Sequence, residues 1–291
     1  MFQGSLVALI TPMAVDGQVD FDALEKLVRW HVSEGTDAIV AVGTTGEAST
    51  LESAEQMKVV DCCLRAAQAR LPVIAGISSN STARAVALAR LAQARGAAAG
   101  LAVVPYYNKP TQEGLYRHFS AIAQAVSLPI VLYNVPSRTA TDLLPETVAR
   151  LAAIPNIIGI KEATGILDRV TELRERCGKD FLLLSGDDAT AMEFMLRGGQ
   201  GVISVTANVA PKLMHALCVA ACKGERGKAE ILNQRLDNLH HKLFLESNPI
   251  PVKWALAQMG RAPAGIRLPL TPLAPSHHAA LREALSSVGA L

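Results

Sequence analysis

Cysteines are few and odd in number in this 291-residue chain, aromatics make up only 4% of it, and neither sign of charge predominates. Each shortage excludes something. The five cysteines (Cys62, Cys63, Cys177, Cys218 and Cys222) do not suit a disulfide framework and are expected to be reduced packing residues of a cytosolic protein. Cys218 and Cys222 share a helical face, but no His or second Cys pair accompanies them, so no metal site is expected there. With 28 basic against 26 acidic residues the formal net charge is +2, which leaves no electrostatic footprint for nucleic acid. No apolar run approaches the ~20 residues of a membrane-spanning helix. The first ten residues carry neither a basic n-region nor a cleavage pattern, so a cytoplasmic protein is expected. There is no His-Glu-x-x-His, no cysteine cluster and no nucleotide-binding loop.

What the chain has is apolar mass, 50% of its residues, and a regular rhythm. Intrinsic disorder is excluded by that composition. Short β-branched runs at 6–10, 38–42, 73–77, 100–104, 130–135, 157–161, 181–185 and 201–205 alternate with amphipathic helical stretches. Near-continuous apolar strands are buried on both faces, which implies parallel pairing through helical crossovers. Eight such units predict a (β/α)8 barrel over residues 1–224. A doubly wound sheet competes, but no Gly-x-Gly-x-x-Gly follows the first strand. After Gly224 the strands stop, and 225–291 is predicted as a helical appendage packed on the barrel. The pairs His240-His241 and His277-His278 fall there and are expected to be solvated.

In a barrel of this kind the chemistry sits where strands end. Lys161 stands out as the only lysine in any of the eight runs, following Ile157-Ile158-Gly159-Ile160. An enclosed, unpaired ammonium tends to give up its proton, and the neutral amine is a nucleophile. That points to Schiff-base chemistry on a carbonyl substrate, against the bland alternative of a surface lysine on a frayed strand end. Tyr133 ends the neighbouring strand and could shuttle protons, or could be a packed aromatic with its hydroxyl at the rim. Gly43-Thr44-Thr45-Gly46 offers hydroxyls and backbone N–H groups suited to a carboxylate. Arg138 could grip a carboxylate bidentately or be an ordinary exposed arginine. Glu47, Asp187 and Asp188 are ambiguous; one of the aspartates could cap the next helix. The Gly-rich stretch at 197–201 precedes a strand, so it belongs to the face opposite the chemistry.

Taken together, Gly43-Thr44-Thr45-Gly46-Glu47, Tyr133-Asn134-Val135-Pro136-Ser137-Arg138-Thr139 and Gly159-Ile160-Lys161-Glu162-Ala163 resemble the class I pyruvate-dependent aldolase superfamily, and within it the dihydrodipicolinate synthase family. The resemblance runs from Gly4 to about Asn208 and continues through Ser247–Lys253. It implies that Lys161 forms an imine with pyruvate, and that Tyr133, Thr44 and Tyr107 relay protons, with Tyr107 crossing a subunit interface. It implies that Thr45 N–H, with Thr44, holds the pyruvate carboxylate, that Arg138 takes the carboxylate of aspartate semialdehyde, and that the Ile203 carbonyl faces the site. No metal or organic cofactor is implied, because the protonated imine is the electron sink; a homotetramer is implied. Rivals are N-acetylneuraminate lyase, 2-keto-3-deoxy sugar-acid aldolases, and a non-catalytic keto-acid-binding barrel. Arg138 after Val-Pro-Ser favours the synthases. Lysine-sensitive relatives carry a regulatory pocket whose positions here are Ser53, Gln56, Asn80, Arg84 and Tyr106. Only Asn80 and Tyr106 keep the regulatory residue type. Ser53 to Gln56 also has the pattern of a helix capping box.

Overall fold

The computed structural model describes residues 2–291. Eight strands, β1 (Gly4–Ala8), β2 (Ala38–Ala41), β3 (Val73–Gly76), β4 (Ala99–Val103), β5 (Ile130–Asn134), β6 (Ile157–Glu162), β7 (Leu182–Ser185) and β8 (Gly201–Ser204), pair in parallel and in sequence order. The barrel closes where β1 meets β8, with Gly4 opposite Gly201. All eight predicted strands are present, with ends shifted by no more than about two residues.

Helices α1 (Phe21–Ser33), α2 (Ser53–Ala67), α3 (Thr82–Ala94), α4 (Gln112–Gln124), α5 (Pro136–Thr139), α6 (Pro145–Ala152), α7 (Asp168–Cys177) and α8 (Ala191–Leu196) connect the strands, and α9 (Pro211–Cys222) follows β8. Three more follow: α10 (Arg226–Lys242), α11 (Ile250–Gln258) and α12 (His278–Ser287). The barrel therefore has the predicted (β/α)8 architecture, with α10 packed along α9 and α12 along α10. Two apolar layers hold it together. One fills the barrel interior, with Leu6, Val40, Ile74, Leu101, Val131 and Leu184 among its members. The other lies between the barrel and its helices.

Two expectations need correction. The cap of α2 is one residue earlier than Ser53: Glu52 accepts from the third helical residue, and Glu55 reaches back to the Glu52 N–H at 3.0 Å. Ser53 is already helical, and Gln56 donates instead to the carbonyls of Ala48 and Leu51. His240 is not solvated. It belongs to the buried stripe of α10 with Leu236 and Leu239, and its Nδ1 lies 2.8 Å from Thr206 Oγ1. His278 stacks on Trp254 with ring centroids 4.6 Å apart, whereas His241 is exposed.

Candidate active site

Lys161 and Tyr133 are register partners on β6 and β5. They become so through a β-bulge: Ile130 faces Ile157, but Val131 faces Gly159, which leaves Ile158 as an extra residue. A bulge shifts the alternation of every later side chain. Lys161 is thereby turned towards the interior layer that Tyr133 occupies. Its Nζ lies 4.2 Å from the Tyr133 ring centroid, and no carboxylate among the described residues is within ion-pairing distance. Gly159 permits this packing, since a Cβ there would stand 2.4 Å from the Leu182 backbone oxygen. Gly186, at the end of β7, leaves room for the lysine itself; a Cβ there would meet Lys161 Cε at 2.8 Å.

The bonds that hold this strand pair run on its outer side. Glu162 is buried, and Asn134 Nδ2 donates to it at 3.1 Å and to Asp142 at 2.8 Å. Arg169 pairs with Asp142 and lies 3.6 Å from Glu162. Burial pushes the Glu162 carboxyl up, opposed by its bonds to Asn134 and Thr164 and by the Arg169 charge.

Beside Tyr133, the register partner of Lys161, is a cavity of about 290 Å³, lined among others by Thr44, Ser49, Ser78, Tyr106, Tyr133 and Arg138. It is mostly apolar with a few convergent polar groups, as small-molecule sites are. Thr44 and Thr45 come from the turn after β2, Arg138 from α5 and Ile203 from the interior side of β8. The Arg138 guanidinium donates to the Asn248 carbonyl at 3.1 Å. Tyr107 is not brought into this cavity. It has a left-handed backbone, φ +75°, and is 89% exposed.

The ambiguous acids are committed elsewhere. Glu47 pairs with Lys253 of α11, both almost completely buried, and accepts from Arg267 N at 3.2 Å. Burial lowers the Lys253 pKa, and the Glu47 charge opposes that effect. Asp187 accepts from the amide and hydroxyl of Thr190 at the start of α8, and Asp188 accepts from Val205 and Thr206 N–H. Around the regulatory positions, Ser53 and Arg84 are exposed, Gln56 braces its turn, and the Asn80 carbonyl accepts from Asn108 at 2.8 Å. Glu55 is held bidentately by Arg267 at 2.7 and 2.9 Å, which lowers its carboxyl to about 2.

Two site residues were not picked out individually from the sequence, Asn248 and Lys253. A signal for the second was present: Lys253 is the only charged residue of Ile250–Gln258 and sits within the apolar run Ile250–Ala257, so it must find a partner on burial. Among the described residues, no group of three or more His, Cys, Asp or Glu side chains could hold a metal ion, and no helix is long and apolar enough to cross a membrane.

Comparison with known proteins gives the family. Residues 1–288 match the dihydrodipicolinate synthetase family. The chain is 58% identical over its whole length to the 4-hydroxy-tetrahydrodipicolinate synthase of Methylococcus capsulatus, of which 100% is covered. It is 59% identical to that of Pseudomonas aeruginosa, again covering 100% of both chains. Among solved structures, the chloride-inhibited dihydrodipicolinate synthase of Acinetobacter baumannii complexed with pyruvate superposes with TM-score 0.99 at 54% identity, covering 100% of both chains. The enzyme from Aquifex aeolicus does so with TM-score 0.96 at 46% identity, covering 98% of this chain and 97% of that one. With full-length matches at this level and a strand lysine at the floor of the barrel mouth, the chain belongs to the dihydrodipicolinate synthetase family.

Proposed function

We propose that the cavity condenses pyruvate with L-aspartate 4-semialdehyde to 4-hydroxy-tetrahydrodipicolinate through an imine on Lys161. The observation that carries this reading is the Lys161 amine over the Tyr133 ring, in a mouth ending in Thr44 and Arg138. The names of the full-length relatives support it. The amine adds to the C2 carbonyl of pyruvate and water leaves. Loss of a C3 proton gives the enamine, whose carbon attacks the aldehyde. The amine of the second substrate then displaces Lys161 by transimination and closes the ring. Covalent catalysis of this kind divides one difficult step into easier ones.

Thr44 and Tyr133 carry protons beside the amine, the Thr45 N–H with Thr44 holds the pyruvate carboxylate, and Arg138 receives the carboxylate of the aldehyde. The Ile203 carbonyl orients water or product. Tyr107, 89% exposed in the loop between β4 and α4, serves the relay of a neighbouring copy in a homotetramer built as a dimer of dimers. The cytoplasm is the compartment this chemistry suits.

Treatment with pyruvate and borohydride, followed by digestion, tests the reading. The reduced adduct is expected on the peptide carrying Lys161, and turnover is expected with aspartate semialdehyde but not with N-acetylneuraminate. An adduct on another lysine, or none, overturns it.

A further inference from the structure

Asn248 makes two contacts that join the turn after β2 to α5. Its side-chain Nδ2 donates to Thr45 Oγ1 at 3.0 Å, and its backbone carbonyl accepts from Arg138 at 3.1 Å. Both Asn248 and Thr45 are buried, 6% and 3% exposed. Asn248 lies five residues before Lys253, just ahead of α11, and the Lys253 ion pair with Glu47 ties the same segment to the same turn after β2. The segment from α11 is therefore fastened to the Thr44-Thr45 turn twice.

The direction of the side-chain bond matters. Thr45 Oγ1 accepts from Asn248, and among the described residues the hydroxyl proton has no acceptor of its own. A hydroxyl has one donor and two acceptor positions, so with an acceptor position occupied its proton is left to a ligand. Asn248 Oδ1 is buried without a partner.

Resting on the function proposed above, we infer that Asn248 is a positioning residue for the pyruvate carboxylate. By occupying an acceptor position of Thr45 Oγ1 it aims the Thr45 hydroxyl proton at that carboxylate, adding a donor to the backbone N–H of the same turn. Its backbone carbonyl independently steadies Arg138, and that contact does not depend on the side chain. The two substrates therefore respond differently to loss of the Asn248 amide.

The test measures borohydride trapping against pyruvate concentration, which needs no second substrate, and the KM for aspartate semialdehyde in turnover. Asn248→Ala is expected to raise half-saturating pyruvate about tenfold, the scale of one hydrogen bond to a charged group. Its KM for the aldehyde should change by less than about twofold, because the backbone carbonyl remains. Asn248→Asp keeps the shape but offers Thr45 only acceptors, and should weaken pyruvate more than Asn248→Ala does. Asn248→Ala combined with Thr45→Val should be no worse than Thr45→Val alone, since the amide acts through that hydroxyl. Multiplicative effects in the double variant, or equal changes for both substrates, would overturn the inference. Should Asn248→Ala be too unstable to assay, the near-isosteric Asn248→Asp gives the same comparison. A parent enzyme that traps no pyruvate would overturn the imine reading itself, whereas normal trapping with an unaltered Asn248→Ala curve would overturn the role of Asn248 alone.

Discussion

Lys161 Nζ lies 4.2 Å from the centroid of the Tyr133 ring, and the two residues face each other across adjacent parallel strands. Amine and aromatic ring are thus held in one layer of the barrel by backbone hydrogen bonds rather than by loop conformation. Sites on strands keep their geometry better than sites on loops. The outer network of Asn134, Glu162, Arg169 and Asp142 fixes the same strand pair from behind.

Gly186→Ala is expected to slow imine formation. The added Cβ would stand 2.6 Å from Ala163 Cβ and 2.8 Å from Lys161 Cε, so the lysine has to move. A displacement of about 1 Å at a reacting group costs on the order of 10²-fold. Single-turnover trapping with pyruvate reads this directly, and an unchanged rate would show that the lysine chain tolerates the methyl group.

Arg138→Ala should harm use of aspartate semialdehyde far more than pyruvate trapping. The guanidinium lines the cavity on the α5 side, away from the Thr44-Thr45 turn. Loss of a charge-assisted contact should cost about 2–3 kcal/mol in kcat/KM for the aldehyde. Equal losses in trapping and turnover would contradict this division.

Lys253→Met should destabilise the protein by about 3–5 kcal/mol, because it leaves Glu47 buried without its cation. Adding Glu47→Gln to it should recover part of the loss in denaturant unfolding. If the single variant loses under about 1 kcal/mol, the ion pair is not the fastening described.

Free lysine is expected to inhibit weakly or not at all. Arg84 would meet the ligand ammonium with like charge, and Gln56 is committed to the carbonyls of Ala48 and Leu51. Glu55 cannot replace a missing carboxylate, since Arg267 and the Glu52 N–H already occupy it. Strong inhibition by sub-millimolar lysine in the steady-state assay would refute this.

Stability should fall as pH drops below about 6.5. His31 is fully buried, and burial, with the Arg261 charge adding, lowers it from 6.5 to about 3. Above 6.5 it is neutral in both states and contributes no pH dependence. Between 6.5 and 3 the unfolded chain takes a proton that the folded one refuses, so folding loses up to about 1.4 kcal/mol per pH unit. His31→Gln should flatten the stability profile between pH 6 and 4 by about one proton, measured by urea unfolding. An unaltered slope would place the proton uptake elsewhere.

The sequence alone determined the architecture and singled out one strand lysine. Eight apolar runs too short for helices demand a sheet buried on both faces, and one lysine among them has no bland place to sit. The short helices α6 and α8, of eight and six residues, carry too little periodicity to be legible in the sequence. What the tertiary structure decided was direction and company. Simple alternation from the helix-facing Ile157 would put Lys161 on the helix-facing side as well; the extra residue at Ile158 turns it inward. Thr45, Glu47 and Arg138 receive their partners Asn248 and Lys253 from 203, 206 and 110 residues away. Periodicity reports only which face of its own element a residue occupies, whereas these contacts exist only once the barrel has closed and α11 has docked over its mouth.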